Sequence, residues 1–208
     1  MAASPVSNND STSAANPVRV LVFAGSLRTA SLNKKLARLA AEMVRESGAE
    51  ATFIDLKDYP LPVYDGDLES ASGLPQNARK LKDLFIAHDA FVIACPEYNA
   101  GITGALKNVI DWVSRQDGDQ SGTVPYDGKV VGLCSAAGGV MFGVRAMEML
   151  RGILMNLGCL VVPKRLGVPR ASQAFDAADR LTDAGQVAAL TATVQQVIRV
   201  ASALRAGT

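Results

Sequence analysis

Three short stretches of the chain concentrate the side chains that could do chemistry. They read Ala24-Gly25-Ser26-Leu27-Arg28-Thr29-Ala30-Ser31-Leu32-Asn33, Pro96-Glu97-Tyr98-Asn99-Ala100-Gly101 and Ser135-Ala136-Ala137-Gly138-Gly139. All three are dense in small and hydroxyl-bearing residues. The first has the makings of a phosphate site. Ser26, Thr29 and Ser31 offer hydroxyls, and Ser31 is placed to cap a following helix whose free backbone N–H groups would point at an anion. Arg28, Lys34 and Lys35 lie in or near that first turn, where positive charge opposes the helix macrodipole, and no acid appears before Glu42. A bound dianion would reverse that unfavourable arrangement. The alternative is a capped helix whose basic residues face solvent.

Competing nucleotide loops are tested directly on the first stretch. It lacks G-x-G-x-x-G, which weakens a dinucleotide reading, and it lacks G-x-x-x-x-G-K-[ST], which removes the P-loop. A receiver domain of the response-regulator type would need an acidic pair after the first strand to hold magnesium; here that strand ends Phe23-Ala24-Gly25. In the second stretch, Glu97, Tyr98 and Asn99 stand behind Pro96. A flat heterocycle could sit against such a turn, with backbone groups reading its polar edge. The alternative is an ordinary turn in which Asn99 and Gly101 supply unusual dihedrals.

Each stretch follows a short apolar run, and those runs must position it. Val18-Arg19-Val20-Leu21-Val22-Phe23 is rich in β-branched residues and reads as a strand. Leu32, Leu36, Leu39, Met43 and Val44 then follow helical spacing. Residues 51–54 suggest a second strand, followed by a loop with Pro60, Pro62, Gly66 and Gly73 and a helix over about 76–87. Residues 91–95 form a third strand, stopped by Pro96, before the helical face of Leu106, Val109, Ile110 and Val113. A polar loop over 116–129 leads to the fourth strand, 130–134; a helix carrying Met147, Leu150, Leu154 and Leu157 leads to the fifth, 159–162. An irregular stretch is expected over 163–182, then a final helix with Val187, Leu190, Val194, Val197 and Ile198. Strand and helix alternate five times, which implies a parallel sheet covered by helices on both faces. Ligands of such sheets bind outside the carboxyl ends of the strands, where the strand order reverses. The three stretches fall there.

With 208 residues and 49% hydrophobic content, the chain suits one α/β domain with a packed core. Residues 1–17, rich in Ser, Asn and Ala, are expected to be a disordered tail, with the domain over 18–208. The tail has neither the basic start nor the apolar run of a secretory signal. The formal net charge of +1 argues against a nucleic-acid partner recruited by bulk charge. No stretch approaches about 20 uninterrupted apolar residues, so no membrane span is expected. Cys95, Cys134 and Cys159 are an odd number set far apart, which suggests a reduced, cytoplasmic protein. No metal is expected, because no Cys/His cluster has ligand spacing. His88, the one histidine, is expected at a helix end or the surface; the cysteines are expected in the core, and Trp112 in packing or an interface.

At these residues the sequence resembles the NAD(P)H-dependent FMN reductase family, a flavodoxin-like group with bacterial quinone, chromate and azo-dye reductases. The resemblance rests on residues 25–33, on Pro96-Glu97-Tyr98-Asn99, and on Gly104-Ala105-Leu106-Lys107-Asn108 with Asp111-Trp112-Val113-Ser114-Arg115. Leu61-Pro62-Val63-Tyr64-Asp65 resembles that family's loop after strand two. Roughly residues 18–166 are covered; beyond Pro163 only the general pattern agrees, and the tail has no counterpart. The resemblance implies a three-layer α/β/α sandwich with a five-stranded parallel sheet in order 2-1-3-4-5, holding noncovalent FMN. Ser26, Arg28, Ser31, Leu32 and Asn33 would surround the phosphate. Pro96, Glu97, Tyr98 and Asn99 would border the ring, and Ser135 with Gly138 would close the far side. The family is typically dimeric or tetrameric, and Tyr64 and Asp65 would reach a neighbouring subunit's site.

The expected function is transfer of a hydride from NADH or NADPH to FMN, then of electrons to a small-molecule acceptor: a quinone, flavin, azo compound or chromate. The cofactor carries the hard chemistry, which agrees with the lack of a catalytic triad or carboxylate pair. The rivals are a flavodoxin-like electron carrier, which would usually be strongly acidic, and a flavin-binding regulatory protein.

Overall fold

The computed structural model describes residues 16–207. The expected tail over 1–15 lies outside the described residues; Pro17 is inside them, and its carbonyl accepts a 2.8 Å hydrogen bond from Arg205. The strands are β1 (Arg19–Ala24), β2 (Glu50–Ile54), β3 (Ala90–Ala94), β4 (Val130–Ala136) and β5 (Leu160–Val168). They form one sheet in the order β2-β1-β3-β4-β5, with every pairing parallel. β3 and β4 are buried along their whole length, and β1 beyond Arg19, so the central strands read as continuous apolar runs.

Among the described residues six helices accompany the sheet: α1 (Leu32–Glu46), α2 (Gly66–Ser72), α3 (Gln76–Ala87), α4 (Gly104–Val113), α5 (Val144–Asn156) and α6 (Ala184–Ala206). Alternate strand residues divide the core into two layers. Val20, Val22 and Val92 meet Leu36, Ala40, Val194 and Val197 of α1 and α6. Leu21, Phe91 and Ile93 meet Leu81, Phe85, Ile110 and Leu150 of α3, α4 and α5. Alone among the described residues, α6 has the length and composition of a membrane span. Its buried Leu190, Thr193, Val194, Val197 and Ala201 pack on the sheet instead.

Two segments differ from expectation. The fifth strand does not stop at residue 162. It continues to Val168 across a register shift, with Val131 opposite Val161 but Leu133 opposite Arg165. Pro163 sits in that irregularity on an edge strand, where a missing N–H removes no required ladder bond. The loop over 60–73 contains α2, capped by Asp65, whose side chain accepts from the Asp67 N–H at 2.9 Å. Seven residues are too few for periodicity to reveal it.

Candidate functional site

The turns after β1, β3 and β4 meet at the carboxyl end of the sheet around an open cavity of about 640 Å³. Ser26, Arg28, Ser31, Leu32, Asn33, Pro96, Glu97, Tyr98, Asn99 and Gly138 all line it. Of the residues expected there, Ser135 alone is set back. Its side chain is buried beneath Gly143, and its hydroxyl has no partner among the described residues.

The first turn is fixed by close packing. A Cβ on Gly25 would stand 2.8 Å from Leu106 Cδ2, so only glycine lets α4 approach this closely. Thr103 locks the contact: its Oγ1 donates to the Gly25 carbonyl at 2.6 Å and accepts the Leu106 N–H at 3.1 Å. Ser26 Oγ accepts the Arg28 N–H at 3.3 Å, and Ser31 caps α1 by accepting from the Lys34 N–H at 3.3 Å. None of the backbone N–H groups from Thr29 to Asn33 finds an acceptor among the described residues. The exposed Arg28 guanidinium also has no partner there. Successive unpaired N–H groups at a helix start, with a free cation beside them, fit a phosphate.

The neighbouring lysines point elsewhere. Lys34 is buried and pairs with Asp55 at 2.7 Å; Lys35 pairs with Asp179 at 2.5 Å. Lys57, just after β2, instead reaches the turn, donating to Thr29 Oγ1 at 3.0 Å.

In the second turn, Pro96 ends β3 and residues 98–101 fold back on themselves. Tyr98 and Gly101 exchange two 3.0 Å backbone hydrogen bonds across Asn99 (φ 51°) and Ala100 (φ 64°). Asparagine tolerates the left-handed region, but alanine there costs about 1 kcal/mol or more. Glu97 turns toward α5. Its carboxylate takes N–H bonds from Arg145 at 3.1 Å and Ala146 at 3.3 Å, and the Arg145 guanidinium at 2.6 and 2.9 Å. Burial pushes this carboxyl up, but the Arg145 and Ala146 hydrogen bonds outweigh it and hold the group below the usual carboxylate range. Glu97 is therefore an ionised cap for α5.

The turn after β4 contributes more than Gly138. Ala137 donates to the Val168 carbonyl at 3.0 Å, and Gly139 accepts from Arg170 at 3.2 Å, which ties the loop to the end of β5. Val140, Met141 and Phe142 then form an exposed apolar rim before Gly143 (φ 75°) admits the chain to α5. Sequence reasoning missed this rim, together with Ala100 and Arg145. The signal available was an apolar triplet bracketed by glycines.

Other singled-out residues are accounted for within the fold. His88 ends α3 and is buried, with its ring nitrogens 2.6 Å from the Leu84 carbonyl and 2.8 Å from Thr52 Oγ1. All three cysteines are buried and free. Trp112 is buried, donates to the Pro62 carbonyl at 2.8 Å and packs edge-on against Tyr64. Tyr64 donates to Glu69 at 2.9 Å and Asp65 caps α2, so both are engaged within their own chain.

Comparison with known proteins bears on what this cavity holds. The family described as NADPH-dependent FMN reductase matches residues 18–173. A quinone reductase of Escherichia coli is 35% identical over 147 residues, 71% of this chain and 74% of its own. An NAD(P)H:quinone oxidoreductase of Solanum tuberosum is 35% identical over 176 residues, 82% of this chain and 86% of its own. Among solved structures, the flavoenzyme NAD(P)H:(acceptor) oxidoreductase FerB of Paracoccus denitrificans aligns with a TM-score of 0.75. That alignment is 27% identical and covers 89% of this chain and 97% of FerB.

Proposed function

The chain belongs to the NADPH-dependent FMN reductase family, and from that premise we propose that its cavity holds FMN noncovalently beside a site for NADH or NADPH. The protein is an oxidoreductase that moves electrons from a nicotinamide nucleotide to small-molecule acceptors of the quinone, azo or flavin type. The observation that carries the site assignment is the run of unpaired N–H groups from Thr29 to Asn33 beside the free Arg28 guanidinium. When bound, FMN supplies the hydride and electron chemistry.

The residues bind and orient. Ser26, Arg28 and Ser31 hold the phosphate with the start of α1, while Leu32 and Asn33 border it. Pro96, Tyr98 and Asn99 present the wall on which the ring lies, with the Asn99 backbone N–H, which the Tyr98–Gly101 pairing leaves unused, available to its polar edge. Glu97 keeps that wall fixed to α5 through Arg145 and Ala146. Gly138 closes the far side, and the rim of Val140, Met141 and Phe142 shields the opening from water. Ser135 supports this loop from below. The near-neutral net charge of +1 favours an enzyme over an acidic electron carrier. We place it in the cytoplasm as a homodimer or homotetramer, in keeping with its free cysteines and its exposed apolar side chains.

The test is direct. The purified protein should be yellow, release FMN rather than FAD on denaturation, and oxidise NADPH steadily with a quinone. Release of FAD, or no affinity for flavin, would remove the assignment. Flavin binding without turnover would favour a regulatory protein.

A further inference from the structure

Ala136 is the last residue of β4, and its polar groups lack a strand partner. In β4, Cys134 bonds toward β3, accepting the Cys95 N–H at 2.7 Å, while Ala137 bonds toward β5 through Val168 at 3.0 Å. Alternation along the strand turns the N–H and C=O of Ala136 toward β3. There β3 has already left the sheet at Pro96, which has no N–H to give. Asn33 fills the gap from 103 positions earlier in the chain. Its Nδ2 donates to the Ala136 carbonyl at 2.8 Å, and its Oδ1 accepts the Ala136 N–H at 2.9 Å. One buried carboxamide thus makes both bonds that a neighbouring parallel strand would make through two of its residues.

We infer that Asn33 is a positioning residue: its side chain acts through Ala136 to hold the turn after β4 against the start of α1, rather than gripping the phosphate. The inference rests on the flavin reading above. The backbone N–H of Asn33 belongs to the unpaired run that faces the phosphate, while its side chain fixes the residue from which the chain passes to Ala137 and Gly138. The phosphate side and the ring side of the cavity are thereby held in one register.

The experiment titrates the full-length chain, freed of flavin, with FMN and separately with riboflavin, which lacks the phosphate. Asn33→Ala should weaken both by a similar factor, on the order of tenfold for two neutral hydrogen bonds. Hydrogen exchange at the Ala136 amide should quicken in the same variant. Loss of FMN affinity alone would make Asn33 a phosphate ligand and overturn the inference, as would unchanged affinity for both flavins.

Asn33→Asp gives a second readout that survives if Asn33→Ala does not fold. A neutral carboxyl can accept from the Ala136 N–H and donate to its carbonyl; an ionised one cannot donate. Riboflavin affinity of Asn33→Asp should therefore recover as the solution is taken from about pH 8 to about pH 5. The wild type carries the same charged groups around the cavity, Arg28, Glu97 and Arg145, and serves as the control for every effect of pH that does not come from residue 33. A flat profile in Asn33→Asp would overturn the inference. A wild-type chain that bound neither flavin would instead overturn the flavin assignment itself.

Discussion

The ammonium of Lys34 meets the carboxylate of Asp55 at 2.7 Å, with the lysine side chain 2% exposed and the aspartate 22%. This pair joins the first turn of α1 to the end of β2, and Asp55 also accepts the Lys57 N–H at 3.0 Å. Asp55→Asn would leave a buried ammonium without its counter-charge. Because Asp55 is partly solvated, the expected loss is about 2–3 kcal/mol, below the range for a fully buried pair. Urea unfolding measures it; a loss near zero would mean that water already compensates Lys34.

Arg28 lines the cavity without an acidic partner among the described residues. Arg28→Ala should weaken FMN on the order of tenfold to a hundredfold through loss of a charge-assisted hydrogen bond. Riboflavin should bind almost as before. Arg28→Lys should recover part of the loss, since an ammonium carries the charge without the planar fork. Equal weakening of both flavins would assign Arg28 to the support of the loop.

Glu97 titrates below the ordinary carboxylate range when folded, through its bonds from Arg145 and Ala146. A depressed folded value stabilises the fold above the unfolded carboxyl value of about 4.3 and ceases to do so as pH falls through the folded one. The stability gap between wild type and Glu97→Gln should be present at neutral pH and shrink in acid. Denaturant midpoints across that range decide it, and a gap that widened in acid would reverse the assignment.

Burial pushes the Cys95 and Cys159 thiols up to about 12, and Cys134 higher still. At about pH 8 the thiolate fraction is then on the order of one in ten thousand. Native protein should not react with a disulfide reagent until denatured, when all three thiols should titrate. A fast-reacting thiol in the folded protein would show that one of these sites opens.

Leu27, Val63, Met149 and Met155 are large apolar side chains left exposed on the single chain, Val63 by 83%. Assembly would cover such residues. Light scattering should return two or four times the chain mass of 21.8 kDa. The mass of a single chain would leave this surface to other partners.

The layered fold was legible because burial on both faces makes the central strands near-continuous apolar runs, and helices that cover a sheet must repeat apolar residues at helical spacing. The first turn was legible for a related reason: Ser31, Leu32 and the small residues before them specify a local cap. The extension of β5 was not. Pro163 is a stop signal in one dimension, and it became tolerable only where an edge strand bulges past β4.

The site divides in the same way. Residue type and spacing determined which turns would meet around the cavity. They could not determine that Lys34 and Lys35 would be spent on Asp55 and Asp179, that Glu97 would cap α5, or that Asn33 would complete β4. Nor could they bring Val140, Met141 and Phe142 to the rim. Local sequence sets a residue's conformation and the face it occupies. The partner that meets its polar atoms lies across the sheet, and only the packed chain brings the two within hydrogen-bond reach.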